Sequence, residues 1–244
     1  MQRPQIKRFL YTLVPFTVLG AAFKVMVLVE GLTEIRPVNA IPIVAGLLCG
    51  PVGALGCALG NLIADFFGSL SYASLLGMLI NFLAAYIPWR LWYLFRRELP
   101  NVHTWKNIFI FAWLSLISAQ TAAWLLSFGM EIFFHTWIKN LYIYVFYNNF
   151  AFSLGLGLPV FIVLTSDSVK ILPEKPPKKA VHSKVQLKTA KAAAVAYTAV
   201  MTEILTGVFC GYHSGNSIAM ILSSILGLAL LIFLCRTPVQ PQTE

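Results

Sequence analysis

Charge is scarce in this chain, and acidic charge is scarcer still. Only 11% of the 244 residues are charged, with 9 Asp and Glu against 18 Lys and Arg. A soluble domain usually carries about 25% charged residues. This sequence could not cover a water-facing surface with polar groups, so a soluble globular protein is excluded. Cysteine is also sparse. Cys49, Cys57, Cys210 and Cys235 form no CxxC pair, which argues against a disulfide framework or a zinc site. They read as small packing residues. His103, His135, His182 and His213 are scattered, with no HExxH or comparable spacing. No metal, cofactor or catalytic constellation is therefore expected. There is no GxxxxGK[ST] run, so the chain has no ATPase motif of its own.

Long apolar runs are abundant. Hydrophobic residues make up 58% of the chain and mean hydropathy is +0.76. The expected class is an all-α integral membrane protein. Clear spans are Phe9–Gly31, Tyr72–Phe95, Ile108–Phe134, Leu141–Thr165, Ala190–Cys210 and Ser217–Leu234. The first is too long for a signal-peptide core and no small-residue cleavage site follows, so it reads as a retained span. The net charge of +9 points to loop topology and not to nucleic acid, because Lys and Arg prefer cytoplasmic loops.

The most informative stretch is Glu34–Gly68, EIRPVNAIPIVAGLLCGPVGALGCALGNLIADFFG. As one straight helix, Pro37–Phe67 would run about 45 Å at 1.5 Å per residue, against a hydrocarbon core of about 30 Å. Gly50-Pro51 offers a turn, dividing the stretch into Asn39–Cys49 and Pro51–Phe67. Loop charge decides the count. The basic clusters are Arg3, Lys7 and Arg8; Arg90, Arg96, Arg97 and Lys106; Lys170 through Lys191; and Arg236. They share one side only if the stretch crosses twice. The expectation is eight spans with both termini cytoplasmic. Residues 1–169 would form a six-span solute-binding domain, 170–190 a basic linker able to meet lipid headgroups, and 191–244 a two-span hairpin with a tail.

This topology gathers polar residues in the outer half of the bilayer. Glu30, Glu34 and Arg36 fall in the first external loop, and Asn39 opens the second span. Asn61 and Asp65 close the third, one helical turn apart and so on one face. Glu131 ends the fifth span, and Tyr147, Asn148 and Asn149 begin the sixth. Ionisable groups at membrane depth tend to line a pathway or site. Amides, charges and tyrosines together could hold a small molecule, so these ten residues are the candidate substrate-binding set. Each has a plainer role. The tyrosine suits the interfacial belt, the amides can join helices, and Glu34 and Arg36 can be simple loop charges. Lys24, in mid-span on this reading, could snorkel, pair with an acid or face a partner protein. Gly20, Ala21 and Ala22, with Gly53, Cys57 and the pairs Ala54/Ala58 and Gly56/Gly60, allow close helix approach, either within the chain or against another subunit.

The Gly-rich hairpin AGLLCGPVGALGCALGNLIADFFG and the following GSLSYASLLGMLINFLAAYIPWRLW, with its order of small residues, Asn81 and a Pro-Trp-Arg exit, resemble the substrate-binding S components of energy-coupling factor (ECF) transporters. The resemblance covers residues 9–169. It implies a protein of the bacterial or archaeal plasma membrane that captures a vitamin or similar micronutrient at the extracellular face, with GLTEIRP as a lid. It implies partners: a transmembrane coupling subunit and cytoplasmic ATP-binding cassette subunits that hydrolyse the ATP. It also implies docking through Gly20, Ala21, Ala22, Gly53 and Cys57. The hairpin after residue 190 departs from a six-span fold. The competing readings are a membrane assembly or regulatory protein and, further off, an intramembrane enzyme.

Overall fold

The computed structural model describes residues 3–24, 27–29, 33–68, 70–138, 140–166, 169, 171, 173 and 184–237. It is helical apart from one small ribbon. Its elements are α1 (Arg3–Ala22), β1 (Val27–Val29), β2 (Thr33–Glu34), a 3-10 turn (Pro37–Ala40), α2 (Ile41–Asp65), α3 (Tyr72–Phe95), α4 (Trp105–Phe134), α5 (Leu141–Phe152), a π-turn (Ser153–Gly157), α6 (Leu158–Thr165), α7 (Lys184–Phe209) and α8 (Ile218–Arg236). β1 and β2 pair antiparallel, Val27 opposite Glu34.

Among the described residues, six stretches are long and apolar enough to cross a membrane: Pro37–Asp65, Tyr72–Phe95, Trp105–Phe134, Leu141–Thr165, Val185–Phe209 and Ile218–Arg236. Their surface agrees. α8 exposes Ile221, Leu222, Ile225, Leu226, Leu228 and Phe233, and a helix apolar on every face belongs in lipid or a large core. Hydroxyls within these helices bond back to their own backbone, as Thr198 does to the Ala194 carbonyl (2.9 Å) and Thr202 to that of Thr198 (2.9 Å). That is how such groups are satisfied where water is absent.

α2 is not straight. Gly50 takes φ 60° and ψ −144° inside it, a region that is left-handed and open to glycine. The chain folds back there. A Cβ built on Gly53 would strike the Ala45 carbonyl, although eight residues of continuous helix would separate the two by about 12 Å. Arg36 Nη2 also reaches Asn61 Oδ1 at 2.9 Å; in a single rod they would stand about 37 Å apart. Arg8 Nη1 donates to the Leu48 carbonyl (3.1 Å), which ends the first arm.

Small residues set the packing around the hairpin. Gly56 faces Thr12, Gly60 faces Phe16, and Gly20 faces Ala64. The constant offset of 44 residues makes α1 parallel to the second arm of α2. Gly46 lies directly against the Ala85 backbone of α3. The residues proposed for docking are thus largely occupied inside the chain. Gly20 and Gly53 meet other helical segments and Cys57 is fully buried, whereas Ala22 is exposed and Ala21 half-buried.

Two expected boundaries differ. α1 stops at Ala22 and not near Gly31, because the chain turns at Phe23 and Lys24 and then forms the ribbon. α7 begins at Lys184 and not at Ala190; Lys, Gln and Leu are good helix formers and extend it past the apolar run.

The C-terminal helices are part of the bundle. Thr121 of α4 and Tyr197 of α7 share a buried hydrogen bond (2.7 Å). Trp124 Nε1 donates to Ser224 Oγ of α8 (3.2 Å), and Arg90 Nη2 of α3 donates to the Leu234 carbonyl near the end of α8 (3.2 Å).

Candidate functional site

The polar residues of the first loop and the α2 hairpin meet at one end of the bundle. Asp65, on the last turn of α2, is buried, and its Oδ1 pairs with Lys24 Nζ at 2.6 Å. Asn61 lies one turn earlier on the same face, and its Nδ2 donates to Asp65 Oδ2 (3.2 Å). Asn61 Oδ1 accepts from Arg36 Nη2 (2.9 Å). The Arg36 backbone N–H donates in turn to Asn148 Oδ1 of α5 (3.2 Å). The chain Lys24–Asp65–Asn61–Arg36–Asn148 therefore ties α1, the second arm of α2, the first loop and α5 together. The 3-10 turn carrying Asn39 is held beside the π-turn, where the Ser153 hydroxyl bonds the Asn39 carbonyl (3.4 Å).

A cavity of about 60 Å³ lies under this network. Its polar lining includes Arg36, Asn39, Asn61, Asp65, Asn81 and Asn149. Asn39, Asn61 and Asn81 are each less than a tenth exposed. Ser71 and Ser74, which form a capping box at the start of α3, complete the polar wall. Gly77 leaves room for Asn61: a Cβ there would stand 3.0 Å from Asn61 Nδ2. A site needs about 10–15 Å³ of such space to hold one water, so the cavity as it stands holds a few waters.

The candidate residues divide clearly. Arg36, Asn39, Asn61, Asp65 and Asn149 line the cavity, and Asn148 braces it. Tyr147 is 54% exposed and points away, as a belt residue would. The backbone of Glu34 lies in β2, but its side chain and all of Glu30 fall outside the described residues. Lys24, Ser71, Ser74 and Asn81 are additions. Lys24 and Asn81 were visible in the sequence as polar residues within apolar runs. The two serines bore the helix-start signature Ser-Tyr-Ala-Ser.

Glu131 sits elsewhere. It lies near the end of α4, and its carboxylate is taken up by the loop between α7 and α8. It accepts from the backbone N–H of Gly215 (2.7 Å) and of Ser214 (3.2 Å). It also bonds the Ser214 hydroxyl and His213 Nδ1. The His213 ring stacks on Trp137 at 4.4 Å between centroids. The physical reason is the C-terminal hairpin, which brings a turn rich in donors to the end of α4. Glu131 fastens that hairpin and does not line the cavity.

The larger openings are apolar. A groove of about 600 Å³ between α3, α4 and α8 is walled by Leu79, Leu125, Phe128, Ile132 and Ile225, and Glu131, His135 and Ser214 also line it. Compared with known proteins, the chain matches no protein-family model, no curated protein and no solved structure.

Proposed function

We propose that this chain is the membrane-embedded substrate-binding subunit of an ECF-type importer, capturing a vitamin or similar small micronutrient from outside the cell. One observation carries the reading. Arg36, Asn39, Asn61, Asp65, Asn81 and Asn149, from four separate segments of the chain, converge on a polar cavity at one end of an otherwise apolar bundle. An anchor or spacer has no use for buried amides and a buried ion pair at that depth, and each must be satisfied at a cost. The first loop carries Arg36 into the site, so its opening would admit a solute.

On this reading the chain crosses the plasma membrane of a bacterium or archaeon eight times, the two arms of α2 counting separately, with both termini cytoplasmic. The cavity faces outward and the Gly50 turn inward. ATP hydrolysis belongs to cytoplasmic ATP-binding cassette subunits, joined through a transmembrane coupling subunit. For the topology, a single cysteine introduced at Val52 in a cysteine-free background is expected to react with membrane-impermeant maleimide only after the cells are opened. Labelling of intact cells would break the eight-span reading.

The second reading is a membrane assembly or regulatory protein. The small cavity and the pairing of Asp65 with Lys24 favour it. One measurement separates the two. Purified protein is expected to carry a small metabolite, detectable by mass spectrometry, at close to one per chain. Asn61→Ala should weaken its affinity by at least roughly tenfold and so lower the amount carried, since one hydrogen bond to a charged group contributes about 1.5–3 kcal/mol. Absence of any enriched metabolite, with uptake unchanged in Asn61→Ala cells, would leave the assembly role standing.

A further inference from the structure

At the opposite end of the bundle, α3, α4 and α7 enclose a groove of about 410 Å³ lined by Phe95, Ile110, Trp113, Val195, Thr198 and Ala199. All but Thr198 are apolar. The groove is framed by cations. On α4, Lys106 precedes Ile110 and Trp113 by four and seven residues. On α7, Lys191 precedes Val195 and Thr198 by four and seven, and Lys188 lies one turn further back. These spacings put each lysine on the helix face that walls the groove, with Lys106 and Lys191 about 6 Å beyond its first wall residue. Contacts place Lys191 at the groove. Lys191 Nζ stands 5.6 Å from the centre of the Phe95 ring, and Phe95 packs edge-on against Trp113 at 5.1 Å. Arg96 follows Phe95 and approaches Glu98 at 4.0 Å. Lys106, Lys188 and Lys191 form no ion pair among the described residues.

An apolar trough framed by three lysines that form no ion pair among the described residues, near one end of a bundle of apolar helices, has the shape and charge of one occupant. We infer that the α3–α4–α7 groove is a binding site for an anionic phospholipid of the membrane, with an acyl chain along Phe95, Trp113 and Val195 and the headgroup phosphate among Lys106, Lys188 and Lys191. Basic pockets between helices at a membrane surface hold such headgroups in general. The inference needs the helices to lie in a bilayer. It does not need the chain to be a transport subunit, so its failure and the failure of that reading are separate events.

The full-length protein in detergent micelles, titrated with phosphatidylglycerol or with phosphatidylcholine of the same chains and read by native mass spectrometry, tests it. Phosphatidylglycerol is expected to bind in preference. A juxtamembrane lysine contributes about fivefold in affinity for anionic lipid. Lys106→Gln, Lys188→Gln and Lys191→Gln combined should therefore weaken phosphatidylglycerol about a hundredfold and leave phosphatidylcholine unchanged. Arginine at the same three positions should retain binding, which separates charge loss from misfolding. Ala199→Trp, which fills the groove and keeps the charges, should weaken both lipids. Glutamine at Lys170, Lys175, Lys178 and Lys179 of the linker should cost far less phosphatidylglycerol binding than the triple groove variant. Four results would overturn the assignment: equal binding of the two lipids, a triple glutamine variant that keeps its preference, a linker variant that loses it, or glycerol phosphate competing as well as intact lipid.

Discussion

Asp65→Ala is expected to destabilise the protein by about 3 kcal/mol, the low end of the range for removing one partner of a buried ion pair. The side chains of Lys24 and Asp65 are 9% and 8% exposed and meet at 2.6 Å. Without the carboxylate, Lys24 loses its 2.6 Å partner, and Asn61 Nδ2 loses its acceptor. The low end applies because Lys24 lies just beyond α1 and its flexible stem can carry the ammonium toward the headgroups. Two controls isolate the cause. Asp65→Asn keeps an acceptor for Asn61 and should cost less. Lys24→Met combined with Asp65→Leu removes both charges and should recover most of the loss, since an apolar pair of similar volume often equals a buried ion pair. Thermal unfolding in detergent, followed by circular dichroism, reads all four proteins. A single variant within about 0.5 kcal/mol of the parent, the ordinary scatter of a surface substitution, would show that the pair does not hold the first loop down.

The hairpin behind this ion pair was legible in the sequence, and the pair was not. Gly50-Pro51 and the sorting of Lys and Arg among the loops are both local signals. One marks a backbone that only glycine adopts easily, and the other marks a side of the membrane. Together they place Arg36 beside Asn61 across 25 residues of chain. Lys24 was visible as a charge in an apolar run, but hydropathy has no sensitivity to a turn made of Phe23 and Lys24, so it appeared to lie in mid-span. Its partner follows from the small residues. Thr12, Phe16 and Gly20 recur every four positions, as do Gly56, Gly60 and Ala64. Pairing these two ladders at an offset of 44 residues brings the end of α1 to Asp65.

Glu131 shows a different limit. Sequence gives the depth of a residue in a membrane helix, and Glu131 was placed at the depth of the cavity. It does not give the angle about the helix axis when the helix is apolar on most faces, as α4 is. The donors that occupy Glu131 come from His213, Ser214 and Gly215, more than eighty residues away, in a turn whose value as an acceptor-binding loop appears only once α7 and α8 are folded against α4. Tyr147 shows the same limit, lying outside the cavity lining. It has the right depth and faces the other way. Asn149, two residues later, faces the cavity.

Gly46→Ala is the second change with a large expected effect. A Cβ on Gly46 would overlap the Ala85 carbonyl oxygen and crowd its carbon. Those atoms are backbone in the middle of α3 and cannot rotate aside, so the first arm of α2 must move away from α3. Overpacking of this kind costs about 1–3 kcal/mol, and the upper half of that range applies where neither side can yield. The displaced arm carries Asn39 and the loop of Arg36, so the cavity should change with it. Gly50→Ala attacks the same hairpin at its turn. With φ 60° and ψ −144° the alanine is held in a conformation open almost solely to glycine, at about 1–3 kcal/mol. Gly155→Ala is the matched control. Nothing lies within 4 Å of a Cβ there, so a change of less than about 0.5 kcal/mol is expected. Urea unfolding in mixed micelles, with the Val52 cysteine as an accessibility probe, should rank Gly46→Ala and Gly50→Ala far below Gly155→Ala. It should also show the turn region labelled faster in the first two. If all three unfold together with the parent, α2 and α3 do not pack backbone to backbone and α2 does not form a tight hairpin.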